Sequence, residues 1–258
     1  MKPDLQNHVE RVASALRGRL GCMICDGAGE RWAARNADDR FATASVIKVA
    51  VLLALAADVD AGRSRWDQAM PTALENTAGG SGVIQHLTPL PYTLRDLATL
   101  MIIVSDNRAT NAIIDLVGID RINAYLLHAG WENTVLARRM MDLEARARGR
   151  DNFSTPHDTA EQLRRLLAGE LATPATTSLL LDMLRAQTER DRLPAWLAPD
   201  VAVAHKTGTL PGVFNDAGIL FLPTGPVIAA VFTNDLAVNA EGRVAIQEIG
   251  RAIVEASR

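Results

Sequence analysis

Strand-like segments stand at both ends of this 258-residue chain, and the long stretch between them reads as helix. Near the N-terminus, residues 20–25 and 30–34 are two short strand-like runs joined by the turn formers Asp26-Gly27-Ala28-Gly29, which predicts a hairpin. Strand character returns only near Val201, in residues 201–209, 214–222 and 227–234, with breaks at Pro211-Gly212 and Pro223-Thr224-Gly225-Pro226. An amphipathic helix over 5–16, with Val9, Val12, Ala13 and Leu16 on one face, precedes the hairpin. A second, over 241–255, closes the chain with Ala245, Ile249, Ala252 and Ile253 on its apolar face. From Ser45 to about Arg190 the periodicity is helical, over 46–59, 94–107, 108–117, 121–128, 156–168 and 174–186. This order implies an α+β fold. An antiparallel sheet of about five strands is completed by both ends of the chain and flanked by the N- and C-terminal helices, with an all-helical lobe inserted. The expected division is residues 1–44 plus 191–258 for the sheet lobe and 45–190 for the helical lobe, as one interlocked unit with its site in the cleft between them.

Charge and composition exclude several partners. The formal net charge is −3, from 27 basic and 30 acidic residues, and no run of like charge is long enough to mark a nucleic-acid or membrane patch. The longest apolar run, residues 49–57, is far short of the roughly 20 residues that span a bilayer and reads as a buried helix. The first residues, Met1 to His8, carry no secretory signal, so the chain as written reads as cytoplasmic, or as exported if a leader once preceded it. Cys22 and Cys25 form a lone C-x-x-C on a predicted strand, where residues three apart face opposite sides, so two ordinary strand cysteines are expected. No spaced ligand set argues for a metal, and no cofactor is expected.

The chemistry begins at Ala44-Ser45-Val46-Ile47-Lys48, which opens the most apolar helix of the chain. Residues three apart on a helix share a face, with Cβ atoms roughly 5–6 Å apart, so Lys48 can reach Ser45. A serine hydroxyl needs a base to take its proton, and a lysine desolvated by apolar surroundings supplies a neutral amine. Free N–H groups at the helix N-terminus can also stabilise an oxyanion beside Ser45. Taken alone, a serine and a lysine at this spacing arise roughly once by chance in such a chain, and an N-cap serine before a buried helix explains them as well. Two further triplets change that balance: Ser105-Asp106-Asn107 at the end of an apolar helical run, and Lys206-Thr207-Gly208 inside a predicted strand. Each arises by chance in only about one chain in twenty.

The ordered set S-x-x-K, S-D-N, K-T-G resembles the serine β-lactamase and penicillin-binding protein superfamily, and is most similar to its class A enzymes. The separations of 60 and 101 residues between the three sets resemble that class, as does the glycine-rich stretch Gly79-Gly80-Ser81-Gly82-Val83. The resemblance implies a β-lactamase-type serine hydrolase working through an acyl-serine intermediate on a small-molecule substrate, as a monomer. It makes Ser45 the nucleophile, Lys48 its proton partner, and Ser105 the relay to the leaving nitrogen. Asn107 would hydrogen-bond Lys48 and a substrate amide, and Asp106 would be a brace. Lys206 and Thr207 would meet a substrate carboxylate, Gly208 would let the substrate approach the strand, and the N–H groups of Ser45 and Thr209 would form the oxyanion hole. A related esterase or D-alanyl-D-alanine peptidase, or a penicillin-binding sensor that acylates and stalls, would share these motifs.

One family motif is missing. The Glu-x-x-Leu-Asn loop that activates the deacylating water in class A enzymes has no counterpart in residues 137–152. Glu144 is the first candidate for that base and Asp142 the second, against a salt-bridged loop formed with Arg138, Arg139, Arg146, Arg148 and Arg150. The rival serine mechanism, a Ser-His-Asp triad, finds no nucleophile elbow around His8, His86, His128 or His157, and His205 points to the strand face opposite Lys206.

Overall fold

A computed structural model describes residues 1–70 and 77–258. Its five-stranded antiparallel sheet is built from β1 (Arg19–Asp26), β2 (Arg31–Arg35), β3 (Val203–Leu210), β4 (Val213–Leu222) and β5 (Gly225–Asn234). The strand order is β2-β1-β5-β4-β3, so β1 lies between its hairpin partner and the last strand, in a register running from Arg19 opposite Asn234 to Asp26 opposite Val227. Nearly every residue of β4 and β5 is buried, as their unbroken apolar runs require of strands covered on both faces.

Two layers of helix provide that cover. Helices α1 (Pro3–Ala15) and α9 (Asn239–Ala256) lie on one face, where Leu5, Val9, Ile246, Ile249 and Ile253 pack with Leu20, Cys22, Ala229 and Val231. The other face meets α7 (Pro156–Leu167) and α8 (Pro174–Arg185), with the rest of the helices behind them: α2 (Lys48–Asp60), α3 (Leu94–Ile103), α4 (Asn107–Val117), α5 (Ile119–His128) and α6 (Leu143–Ala147). Helix α2 is apolar all round and buried from Lys48 to Ala56, as a helix at the centre of a lobe must be. One continuous cluster joins it through Leu163 and Leu166 to Ile228 and Phe232 of the sheet. That shared core supports the proposal that residues 1–44 plus 191–258 and residues 45–190 are interlocked parts of one unit. Cys22 and Cys25 are free and buried in the clusters on opposite sheet faces, and burial pushes their thiols up to about 12 and about 11. Among the described residues no helix is long and apolar enough to cross a membrane.

Two predicted helices differ at the points where the chemistry lies. The helix expected from residue 46 starts at Lys48, after a 3₁₀ turn over Ala44–Ile47. The helix expected over 94–107 stops at Ile103, because Ser105 takes a left-handed conformation (φ 55°) and Asp106 caps a new helix through Ala109 N–H at 3.0 Å. Helix α6, unforeseen from sequence, sits in a loop closed by a buried pair: Arg138 Nε donates to Asp151 Oδ1 at 2.8 Å, and Arg146 Nε to Asp151 Oδ2 at 3.2 Å. Phe41–Ala42 also forms a short ladder with Phe153–Ser154, which ties the end of that loop to the segment before Ser45.

Removing one partner of a buried ion pair leaves the other charge without compensation. Asp151→Ala, which strands the buried Arg138, should therefore lower stability by about 3–5 kcal/mol, measured by urea denaturation, whereas Arg148→Ala, whose side chain is exposed beside Glu144, should change it by less than about 0.5 kcal/mol. Equal effects would mean that the buried pair does not brace the loop.

Candidate active site

Ser45 lies in the 3₁₀ turn, half-buried, and follows Ala44, whose left-handed backbone (φ 47°) is an uncommon state for a residue with a Cβ. Three asparagines hold this turn from outside. Thr43 donates N–H and Oγ1 to the Asn152 carbonyl at 3.0 and 3.1 Å. Asn215 Nδ2 donates to the Ala42 carbonyl at 2.9 Å, and Asn234 Oδ1 accepts from Ala42 N–H at 2.7 Å.

Strand β3 runs beneath the turn. A Cβ at Gly208 would stand 2.5 Å from the Thr43 carbonyl and 3.1 Å from the Ser45 and Val46 nitrogens. The close approach that Gly208 permits is that of the chain's own turn at residues 43–46, where a substrate was expected, so glycine is needed there before any substrate arrives.

Lys48 is fully buried, and its Nζ donates to the Ser105 carbonyl at 2.7 Å, Asn107 Oδ1 at 2.9 Å and Ser105 Oγ at 3.1 Å. Burial drives Lys48 well below the ordinary ammonium range and the charge of Lys206 adds to it, while Asp106 and Glu189 oppose the shift. A neutral amine in this cradle accepts a proton from a hydroxyl, and an ammonium fills all three acceptors. Asp106 braces the same corner, since its Oδ2 accepts from Val83 and Ile84 N–H at 2.7 and 2.8 Å. Asn107 Nδ2 donates to the Gly79 carbonyl at 2.8 Å, so the Ser-Asp-Asn turn and the glycine-rich stretch form one wall. Gly82 (φ 111°) touches Asp106 where a Cβ would clash with it.

Lys206 is also fully buried, with Nζ donating to the Thr207 carbonyl at 2.9 Å. Burial pushes it down to about 7, with Glu189 raising it, Arg192 lowering it and Asp216 raising it. Thr207 Oγ1 donates to Glu189 Oε2 at 2.9 Å, and Thr209 is exposed. Arg192 and Glu189 escape a reading of the sequence. Arginine is usually solvated, yet Arg192 is buried under β3 and donates to the Gly208 and Asn215 carbonyls at 3.0 and 2.6 Å and to Thr209 Oγ1 at 2.7 Å. His205 is on the face away from Lys206, where its Nδ1 lies 3.0 Å from Asp216 Oδ1 and Asp216 Oδ2 accepts from Leu193 N–H at 3.1 Å. That pair fixes a turn.

The candidate deacylation bases are engaged within their own loop. Glu144 is 83% exposed and pairs with Arg148 at 3.1 Å, as a solvated helix face does. Asp142 caps α6, with Oδ1 accepting from Ala145 N–H at 2.9 Å. Both observations correct the expectation of a water-activating carboxylate at either position. In the same loop Asn111 Oδ1 accepts from Met140 N–H at 2.8 Å, and the Met140 side chain is buried.

A model of the β-lactamase enzyme family matches residues 4–257. A β-lactamase of Amycolatopsis lactamdurans is 32% identical over 240 residues, covering 90% of this chain and 78% of that protein. The structure of an ancestral class A β-lactamase superposes with a TM-score of 0.89 at 32% identity, covering 98% of this chain and 99% of the other. That of PBP-A superposes at 0.90 and 29% identity, covering 98% and 95%. The fold is therefore that of the class A serine β-lactamases, and the chain belongs to the β-lactamase enzyme family.

The depressed Lys206 sets a pH dependence of stability. Between about pH 7 and 10.5 the unfolded chain holds a proton on this residue that the folded chain has released, so its contribution to stability rises with pH across that window. Below pH 7 both states are protonated and the cost of burying the charge is complete. Lys206→Met should consequently gain most over the parent near pH 6.5 and lose about 2 kcal/mol of that advantage by pH 9, as read from denaturation curves at the two pH values. A pH-independent difference would mean that Lys206 titrates as it does in water.

Proposed function

We propose that this chain is a class A-like serine β-lactamase that transfers the acyl group of a β-lactam to Ser45 and hydrolyses the acyl-serine. The observation that carries the reading is Lys48: an amine driven towards neutrality by burial, three residues after Ser45 and hydrogen-bonded to Ser105 Oγ. The Ser45 hydroxyl proton passes to Lys48 as Oγ attacks the lactam carbonyl. The oxyanion is held by the N–H groups of Ser45 and Thr209. On collapse the C–N bond breaks and Ser105 gives its proton to the leaving nitrogen, refilled from Lys48 at 3.1 Å. Asn107 positions Lys48 and a substrate amide, and Lys206 and Thr207 face a substrate carboxylate. All of these groups come from one chain, which supports a monomer as the working unit.

A second reading has its own observation in its favour. Since Glu144 is solvated and Asp142 is spent on a helix cap, acylation is better equipped than deacylation, as in a penicillin-binding protein that stalls at the acyl-serine. The same motifs serve a related esterase or D-alanyl-D-alanine peptidase.

Ser45→Ala should abolish covalent labelling by a fluorescent penicillin, and Lys48→Ala should slow labelling at least about a hundredfold. Undiminished labelling of Ser45→Ala would remove Ser45 from the mechanism. Hydrolysis of a chromogenic cephalosporin by Glu144→Gln should stay within about twofold of the parent, because an exposed carboxylate bonded to Arg148 is not a base for the acyl-serine. A trapped mass adduct in Glu144→Gln alone would restore that role, and an adduct accumulating in the unmutated protein would favour the stalling reading.

A further inference from the structure

We propose that the groove between α2 and α5 is a second binding site, for a small organic phosphate whose phosphate group lies on Arg63 and Arg121 and whose apolar group lies against the alanines of the two helices. The groove is at the far end of α2, about 15 Å along the helix from Lys48. The inference is independent of the acyl-serine reading and gives a ligand to a part of the molecule that the reaction does not use.

The groove exists because the side chains that face each other across it are short. Ala54 and Ala57 of α2 and Ala124 of α5 line a cavity of about 480 Å³, together with Val117 and Tyr125. Arg121, Ala124, Tyr125 and His128 stand three or four residues apart, so one face of α5 forms a whole wall. A volume of this size is within the range of small-molecule sites, and its apolar walls suit an aromatic or short aliphatic group.

The charged end is organised by one buried carboxylate. Asp58, in the last turn of α2, accepts from Arg63 Nε at 2.7 Å on Oδ1 and from Arg121 Nη1 at 3.0 Å on Oδ2. Arg63 N–H also bonds to the Asp58 carbonyl at 2.9 Å, which fixes the return of the chain after α2. Two guanidiniums are thereby held at one cavity before any ligand arrives, and Asp58 takes only one N–H from each. Their two positive charges outweigh the single carboxylate between them. Asp60, the next acid of α2, is engaged elsewhere, accepting from Thr173 N–H and Thr176 Oγ1, each at 2.6 Å. A phosphate monoester matches this end, because a dianion with three terminal oxygens can take donors from both guanidiniums. Tyr125 offers a further donor. Its hydroxyl is buried and makes no hydrogen bond within the protein, and burial pushes the phenol up to about 12, so it keeps its proton.

Phenyl phosphate is the probe, with inorganic phosphate and benzyl alcohol standing for its two halves. Titration calorimetry on the whole protein should give one phenyl phosphate per chain, bound at least about tenfold more tightly than either half. Arg121→Gln should weaken that binding at least about tenfold, while Arg63 still pairs with Asp58 and keeps it satisfied. Ala124→Trp fills the cavity from an exposed position without touching an ion pair, and should abolish binding. Lys206→Met, in the catalytic cleft, should leave the affinity unchanged. Thermal melting of each variant reports its folding, and if Arg121→Gln unfolds, Ala124→Trp decides. No binding at about millimolar phenyl phosphate overturns the proposal, as does unchanged affinity in Ala124→Trp. Loss of binding in Lys206→Met would place the anion in the catalytic cleft and overturn it too. Equal affinity for inorganic phosphate would leave an adventitious ion only, and equal affinity for benzyl alcohol would remove the role of the arginines.

Discussion

A lysine at the head of the most apolar helix in the molecule cannot be left without partners, and much of the site follows from how Lys48 is satisfied. Its three acceptors all come from Ser105 and Asn107. To present both a carbonyl and a hydroxyl to one amine, Ser105 adopts a left-handed backbone, which ends α3 at Ile103. That break frees Asp106 to cap α4 and to collect the N–H groups of Val83 and Ile84. An unpaired buried amine is costly enough to organise a corner of this size. The strained residues at Ala44 and Ser105 persist because bonded neighbours on each side over-determine them.

The loop over residues 136–152 uses its polar groups in a different way. Asn152 Oδ1 accepts from Ala137 and Arg138 N–H, Asn111 clamps Met140, Arg138 and Arg146 share Asp151, and Glu144 and Asp142 serve α6. Its carboxylates are engaged within the loop itself. In the proposed mechanism the contrast with Lys48, which is bonded to Ser105 and Asn107, separates the two half-reactions: proton transfer during acylation is built into the core, while Asp142 and Glu144 are engaged within their own loop.

The sheet, its flanking helices and the buried character of α2 were legible because each rests on a repeating pattern of apolar residues that burial enforces. Ser45, Lys48, Ser105, Asn107 and Lys206 stood out as candidates because three short motifs stand in a fixed order, and Lys48, Ser105 and Asn107 meet in one hydrogen-bonded corner. What could not be read belongs to contacts between distant segments. Gly208 looked like room for a substrate, and only the placing of β3 under residues 43–46 shows that the room is already taken. Arg192 carries no sign in the sequence that it will be buried, since its burial depends on carbonyls of β3 and β4 turning towards it. Glu144 was the first candidate base in its loop, but a helix of five residues holds it in solvent.

The pairing of β1 with β5 joins residues 19–26 to residues 227–234, nearly the full length of the chain apart. Closing so large a loop costs more entropy than any other strand pairing here, and its reward comes only when the last strand arrives. During synthesis the β1–β2 hairpin must therefore wait with one edge unpaired until almost the whole protein has been made, while the helices fold locally beside it. The same ladder that sets Asn234 beside Ala42 in the finished molecule makes its assembly a late event, and it leaves the newborn chain exposed to edge-to-edge association for most of its time on the ribosome.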